Sequence, residues 1–316
     1  MDWVNVGNSG LKVTQVTYGT ALTIGVEKID IVECQELIDT AWNLGIRSFD
    51  TADSYGNGKS EELLGKCLSK RNREDYVLIT KTGQPIGSGP FDKGLSRKHI
   101  FHNIDKSLNR LQTDYIDLYY AHRPDPDVSL EEIAFSFNDL IRQGKILYWA
   151  TSEWSSESLK NLHEICSYHN LEKPIAEQAI YSYAVQKVKE NGVQAFCYWK
   201  NLGLFGYSPL CQGFLTGKYK NGIPKDSRIA KADQLNYDKT KNFYEQYKNR
   251  IDFFLKICDE FKINPSQGAL LYCLNDRILP ILGASKPKQL EENLIGLFDE
   301  RSDLKTFLNT LEEFEG

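Results

Sequence analysis

No run of about 18 apolar residues occurs in this 316-residue chain, so it carries no sequence signal for a membrane-spanning helix. The opening residues, Met1-Asp2-Trp3-Val4-Asn5, lack the basic-then-apolar order of a secretory signal. There is no basic excess either: 38 Lys and Arg face 43 Asp and Glu, a net charge of −5. A nucleic-acid coat, which needs clustered cations, is therefore a poor reading. The seven cysteines (Cys34, Cys67, Cys166, Cys197, Cys211, Cys258, Cys273) never form Cys-x-x-Cys, which argues against a zinc knuckle or a thioredoxin-type pair. Buried thiols in a reducing, cytoplasmic setting are expected instead. Internal repeats and low-complexity segments are absent, and no Gly-x-Gly-x-x-Gly follows the first strand candidate.

What is present is alternation. Short β-branched or aromatic runs at 15–18, 48–51, 76–81, 115–121, 146–151, 175–179, 204–207 and 278–282 read as strands. Amphipathic stretches at 31–44, 60–69, 96–111, 130–142, 156–169, 185–202, 241–261 and 265–274 read as helices. In 96–111, Ile100, Ile104, Leu108 and Leu111 share one face, and Lys98, Asn103, Lys106 and Arg110 largely avoid it. Ser129 with Glu132 has the spacing of a capping box. Eight strands with eight crossovers predict a (β/α)8 TIM barrel forming a single domain over 1–316. Residues 3–6 and 11–13 around Gly7-Asn8-Ser9-Gly10 predict a short N-terminal β-hairpin closing its floor. Two long connections, 83–95 and 211–238, fall on the C-terminal face, where barrel active sites are built.

The strand ends on that face carry the chemistry. They read Phe49-Asp50-Thr51-Ala52-Asp53-Ser54-Tyr55-Gly56, then Thr80-Lys81-Thr82, His122-Arg123-Pro124, Ser152-Glu153-Trp154 and Glu177-Gln178. An ammonium beside a phenol favours the phenolate, so Lys81 is expected to make Tyr55 a stronger acid. Asp50 is the natural partner for a buried lysine. A neutral His122 can donate a hydrogen bond to a carbonyl oxygen. That set suits delivery of hydride to an aldehyde or ketone with Tyr55 as general acid. A glycosidase reading would recruit Asp50, Glu153 and Glu177 but leaves Lys81 and Tyr55 idle. Metal hydrolysis lacks ligands, since the strand ends supply a single histidine; His99 and His102 are expected on the outside of the barrel, facing solvent. Tyr55-Gly56-Asn57-Gly58-Lys59-Ser60 is not a phosphate loop, because Asp53 stands where its first glycine belongs. The loops after strands seven and eight, with Gly213, Lys218, Gly283 and Lys286, have the makings of a phosphate site.

These residues together resemble the aldo-keto reductase superfamily over essentially the whole chain. Gly94-Leu95-Ser96-Arg97, Arg123-Pro124-Asp125-Pro126 and Gly283-Ala284-Ser285 resemble the branch containing voltage-gated potassium channel beta subunits and related bacterial reductases. The resemblance implies NADPH, NADP(H) being held without a Rossmann domain. It implies Ser152, Glu153 and Gln178 at the carboxamide, Gly19, Thr20 and Asp50 nearby, and Tyr207 stacked on the nicotinamide. Ser208, Leu210, Gly213 and Lys218 would follow the pyrophosphate. Arg228, Ser285, Gln289, Glu292 and Asn293 would surround the adenosine and its 2′-phosphate, with Gly283 also among the cofactor-binding residues. Members often carry Trp where Ala21 stands, Asn where Glu153 stands and Arg where Gln289 stands. His122, where channel subunits tend to carry Asn, favours an active enzyme acting on a small-molecule carbonyl substrate. The same branch suggests an alternative, a nucleotide-binding regulatory subunit of a membrane channel, and its members often form homotetramers.

Overall fold

The computed structural model describes every residue except 22, 26–28, 221, 226, 228, 231–233, 315 and 316. Eight parallel strands close into a barrel: β3 (Thr17–Gly19), β4 (Ser48–Asp50), β5 (Val77–Thr82), β6 (Ile116–Ala121), β7 (Ile146–Ser152), β8 (Ala176–Ile180), β9 (Gly203–Tyr207) and β10 (Leu279–Leu282). The seam pairs Ile281 with Thr17 and Leu282 with Tyr18. Both faces of such strands are covered, which is why they read in sequence as short apolar runs rather than strict alternation.

The period of two still decides what points inward. On β5, Val77 and Ile79 join the barrel-interior cluster with Leu118, Tyr120 and Phe205. Leu78 faces the outer core instead. Lys81 is the next inward position after Ile79, so the register itself carries a lysine into the barrel. It arrives at the C-terminal end of the strand. The opposite end is sealed by the predicted hairpin, β1 (Trp3–Asn5) with β2 (Lys12–Thr14), paired antiparallel. Its Val6, Leu11 and Val13 pack into the interior cluster.

The outer layer contains α1 (Ile31–Asn43), α2 (Lys59–Leu68), α3 (Arg97–Leu111), α4 (Leu130–Arg142), α5 (Ser156–Tyr168), α6 (Lys187–Glu190), α7 (Val193–Lys200), α8 (Gln234–Glu260), α9 (Pro265–Asn275), α10 (Pro287–Leu294) and α11 (Leu304–Glu312). Asp30 and Glu33 form a reciprocal capping box on α1. Ser129 does cap α4, but the Glu132 carboxylate accepts from Arg97 N at the start of α3 instead of closing a box. The helix expected over 185–202 is two, broken by Gly192 at φ 79°. α8 starts at Gln234 rather than 241, so the connection after β9 is shorter than expected. α11 has no counterpart among the expected helices. His99 is only 1% exposed, its Nδ1 2.7 Å from the Phe91 carbonyl, and does not face solvent; His102 does. Among the described residues no helix is long and apolar enough to cross a membrane.

Candidate active site

Asp50 ends β4 and Lys81 lies one residue from the end of β5, on adjacent strands. Their side chains meet: Lys81 Nζ lies 2.5 Å from Asp50 Oδ1 and donates also to the Thr51 carbonyl at 2.7 Å. Tyr55 follows five residues after Asp50 in a 3₁₀ turn, Tyr55–Gly58, held by Gly56 at φ 58° and Asn57 at φ 54°. That turn brings the phenol back over the strand ends, with Tyr55 Oη 3.4 Å from Lys81 Nζ. His122, just beyond β6, sets its ring edge-on to Tyr55 at a centroid distance of 5.8 Å. The four residues that the sequence grouped thus converge on one rim.

Electrostatics assign their protonation. Burial alone would lower the pKa of Lys81, but the Asp50 carboxylate and the Tyr55 oxygen outweigh it and hold the ammonium charged. Burial, then the Lys81 and Arg123 charges, lower His122 to about 2, so it is neutral at any ordinary pH. The expectation for Tyr55 is overturned: its pKa is raised, not lowered, because burial outweighs the opposing pull of Lys81. The phenol is therefore a firmly protonated proton store rather than an unusually strong acid.

Other expected residues ring this centre. Gln178 Nε2 donates to Asp50 Oδ2 at 3.1 Å, and Ser152 Oγ accepts from Arg123 at 3.0 Å. Glu153, at φ 59°, accepts from Ile180 N at 2.7 Å and is close enough to Tyr207 to raise the phenol's pKa, after burial. Glu177 is fully buried, accepting from Thr151 and Trp154 N, and burial lifts it to about 8. With Asp50 tied to Lys81 and Glu177 sealed away, the carboxylate pair a glycosidase needs does not form. Thr20 N donates to the Asp50 carbonyl, and a Cβ on Gly19 would come within 2.6 Å of Ile281 Cγ2, so the chain passes closely there.

The remaining expected contacts lie on the loops after β9 and β10. Tyr207 ends β9 half-buried, and Ser208 follows at φ 57°. Leu210 accepts from Gly213 N at 2.8 Å; a Cβ on Gly213, at φ 92°, would press on the Lys218 ammonium. Gly283 is exposed beside the Gly19 carbonyl, and Gln289 Oε1 accepts from Ser285 N at 2.9 Å. Asn293 is buried, whereas Glu292 is exposed with its carboxylate 3.7 Å from Lys288. Arg228 lies outside the described residues. A half-exposed ring, glycine backbone and lysines on loops, and a helix start (α10) without a side-chain cap suit a ligand that combines flat rings with phosphates.

Sequence reasoning missed three supporting residues. Arg123 donates to the His122 carbonyl and to Ser152, joining the ends of β6 and β7. Asn103 on α3 is 1% exposed and donates to Asp53 and Thr82. Glu61 on α2 is buried between Arg110 and Thr80. Arg123 was visible as a cation at a strand end; Asn103, grouped in sequence with the polar residues of its helix, carried no such signal.

Comparison with known proteins agrees with the barrel fold. The profile of the aldo/keto reductase family matches residues 15–301. A protein of Schizosaccharomyces pombe, described as a candidate voltage-gated potassium channel subunit beta, is 39% identical over 299 residues, covering 92% of this chain and 86% of its own. Similarly described proteins of Oryza sativa and Arabidopsis thaliana are each 35% identical, over 94% and 93% of this chain and 91% and 90% of theirs. A closed eight-stranded barrel and a family match over nearly its whole length give one conclusion: the chain belongs to the aldo/keto reductase family.

Proposed function

We propose that this protein reduces an aldehyde or ketone to the alcohol with NADPH, Tyr55 acting as general acid. The observation that carries the reading is the pair of distances at the rim: Lys81 Nζ 2.5 Å from Asp50 Oδ1 and 3.4 Å from Tyr55 Oη, with neutral His122 against the phenol ring. NADPH, when bound, supplies the hydride. Tyr207 would hold the nicotinamide face, Ser152, Glu153 and Gln178 its carboxamide, and Lys218 with the start of α10 the phosphates. Arg228, Ser285, Gln289, Glu292 and Asn293 are proposed around the adenosine.

The chain's own residues account for the proton. A forming alkoxide is a far stronger base than a phenolate, so the acid needs to be protonated and within reach rather than strongly acidic. Burial keeps Tyr55 protonated. When its proton leaves, the phenolate faces the Lys81 ammonium, which Asp50 and the Thr51 carbonyl hold in place. His122, neutral, donates its one ring N–H to the substrate oxygen and orients it.

The names of the relatives support a second reading, a nucleotide-loaded regulatory subunit of a membrane channel with slow turnover. A cytoplasmic, homotetrameric protein fits either. Fluorescence titration with NADPH and NADH, followed by a panel of small carbonyls read at the nicotinamide absorbance, separates them. Multiple turnovers to alcohol without a partner support the reductase; tight retention of nucleotide with no turnover supports the subunit.

A further inference from the structure

Outside the rim, one pair of nucleophilic side chains stands out. Cys34 lies on the inner face of α1 and Cys67 near the end of α2, and their sulfurs are 3.2 Å apart. Both are fully buried. All seven cysteines are free thiols, and among the described residues only these two touch through sulfur. Arg71, three residues past the end of α2, pairs with Asp39 of α1 at 2.6 Å and lies over the Trp42 ring, so the two helices are also tied through this connection. Packing therefore holds the pair in contact rather than leaving it to chance collisions. Bond formation between sulfurs so placed needs movement on the ångström scale only.

We propose that Cys34 and Cys67 form a reversible oxidation site, at which hydrogen peroxide converts the two thiols into a disulfide stapling α1 to α2. One of the two cysteines, as its thiolate, attacks one peroxide oxygen; the O–O bond breaks, giving that cysteine's sulfenic acid and hydroxide. The other sulfur then attacks the sulfenic sulfur, its proton passes to the leaving hydroxyl, and water departs. Two thiols lose two electrons and two protons, and the peroxide is reduced to two waters. Burial makes the reaction one of local opening, which a peroxide of nearly water size can exploit.

The position gives the bond a consequence. Asp50 and Tyr55 both lie in the segment between Cys34 and Cys67, so the disulfide closes a loop containing half of the proposed acid machinery. Oxidation should slow amide exchange through α1 and α2 and tighten the turn that carries Tyr55.

The test needs no assumption about catalysis. Reduced full-length protein is treated with hydrogen peroxide under native conditions, quenched with N-ethylmaleimide in denaturant, digested and mapped by mass spectrometry. The expected product is a Cys34–Cys67 linked peptide lacking two hydrogens. Dithiothreitol should remove it, Cys34→Ser and Cys67→Ser should abolish it, and amide exchange across 31–68 should slow in the oxidised wild type. Recovery of both residues as free alkylated thiols, whatever the other five cysteines do, overturns the proposal. So does linkage of either one to a different cysteine.

Discussion

Lys81 has no exposed surface, and three oxygens surround its ammonium: Asp50 Oδ1, the Thr51 carbonyl and Tyr55 Oη. A buried ion pair is held by its completeness, and removing one member strands the other charge. Lys81→Met should therefore destabilise the fold by about 3–5 kcal/mol in denaturant titration and remove most turnover. A cost under about 1 kcal/mol would mean that Asp50 is solvated or neutral without its partner. Asp53 makes a second prediction, with the opposite partner logic. Burial lifts it to about 8 from an ordinary 3.8, with nearby Glu61 adding to the rise. The folded carboxyl keeps its proton where the unfolded one has lost it, so stability falls as pH rises from about 4 to about 8. Asp53→Asn removes that slope, and its melting temperature relative to wild type should climb between about pH 5 and pH 8. A constant difference would place Asp53 in the ionised state throughout. His122 works on the acid side: held neutral in the fold, it makes stability drop as pH falls below its ordinary 6.5.

At the scale of elements, the turn bearing Tyr55 depends on backbone rather than on side-chain contacts. Gly56 has φ 58°, and a Cβ there would collide with the Gly25 carbonyl. Gly56→Ala should cost about 1–3 kcal/mol and depress turnover by shifting the phenol. Gly144→Ala, at φ 70° with open space around it, is the control: it should cost about 1 kcal/mol and leave turnover intact. Equal effects in stability and activity would show that strain, and not the position of Tyr55, is what the turn supplies. The same scale shows how far the sequence could be read. The eight barrel strands were legible to within one or two residues, because buried parallel strands are short apolar runs between turn signals. The split between α6 and α7 was not, since one glycine in an amphipathic run does not announce a break. The early start of α8 was hidden because five of its first seven residues, Gln234, Asn236, Asp238, Lys239 and Thr240, are polar. His99 and Asn103 were misread because a polar residue is expected outward, and only tertiary partners, the Phe91 carbonyl for one and Asp53 with Thr82 for the other, make burial tolerable.

For the molecule as a whole, barrel closure converts distant sequence positions into one site. Asp50, Lys81 and His122 come from three consecutive strands, and Gln178 reaches Asp50 from across the barrel. The identities and convergence of this set could be read from strand ends, but the acidity of Tyr55 could not. Its direction depends on how burial and the Lys81 charge balance, which is a property of the closed structure alone. The central claim is that Tyr55 hands its proton to the reduced carbonyl while Lys81 steadies what remains. Single-turnover reduction of an aldehyde by NADPH-loaded protein, wild type against Tyr55→Phe with nucleotide affinity measured in parallel, tests it most directly. The account predicts a rate loss of about 10²–10⁴-fold with affinity essentially unchanged. A Tyr55→Phe protein that reduces the aldehyde as fast as wild type would contradict it.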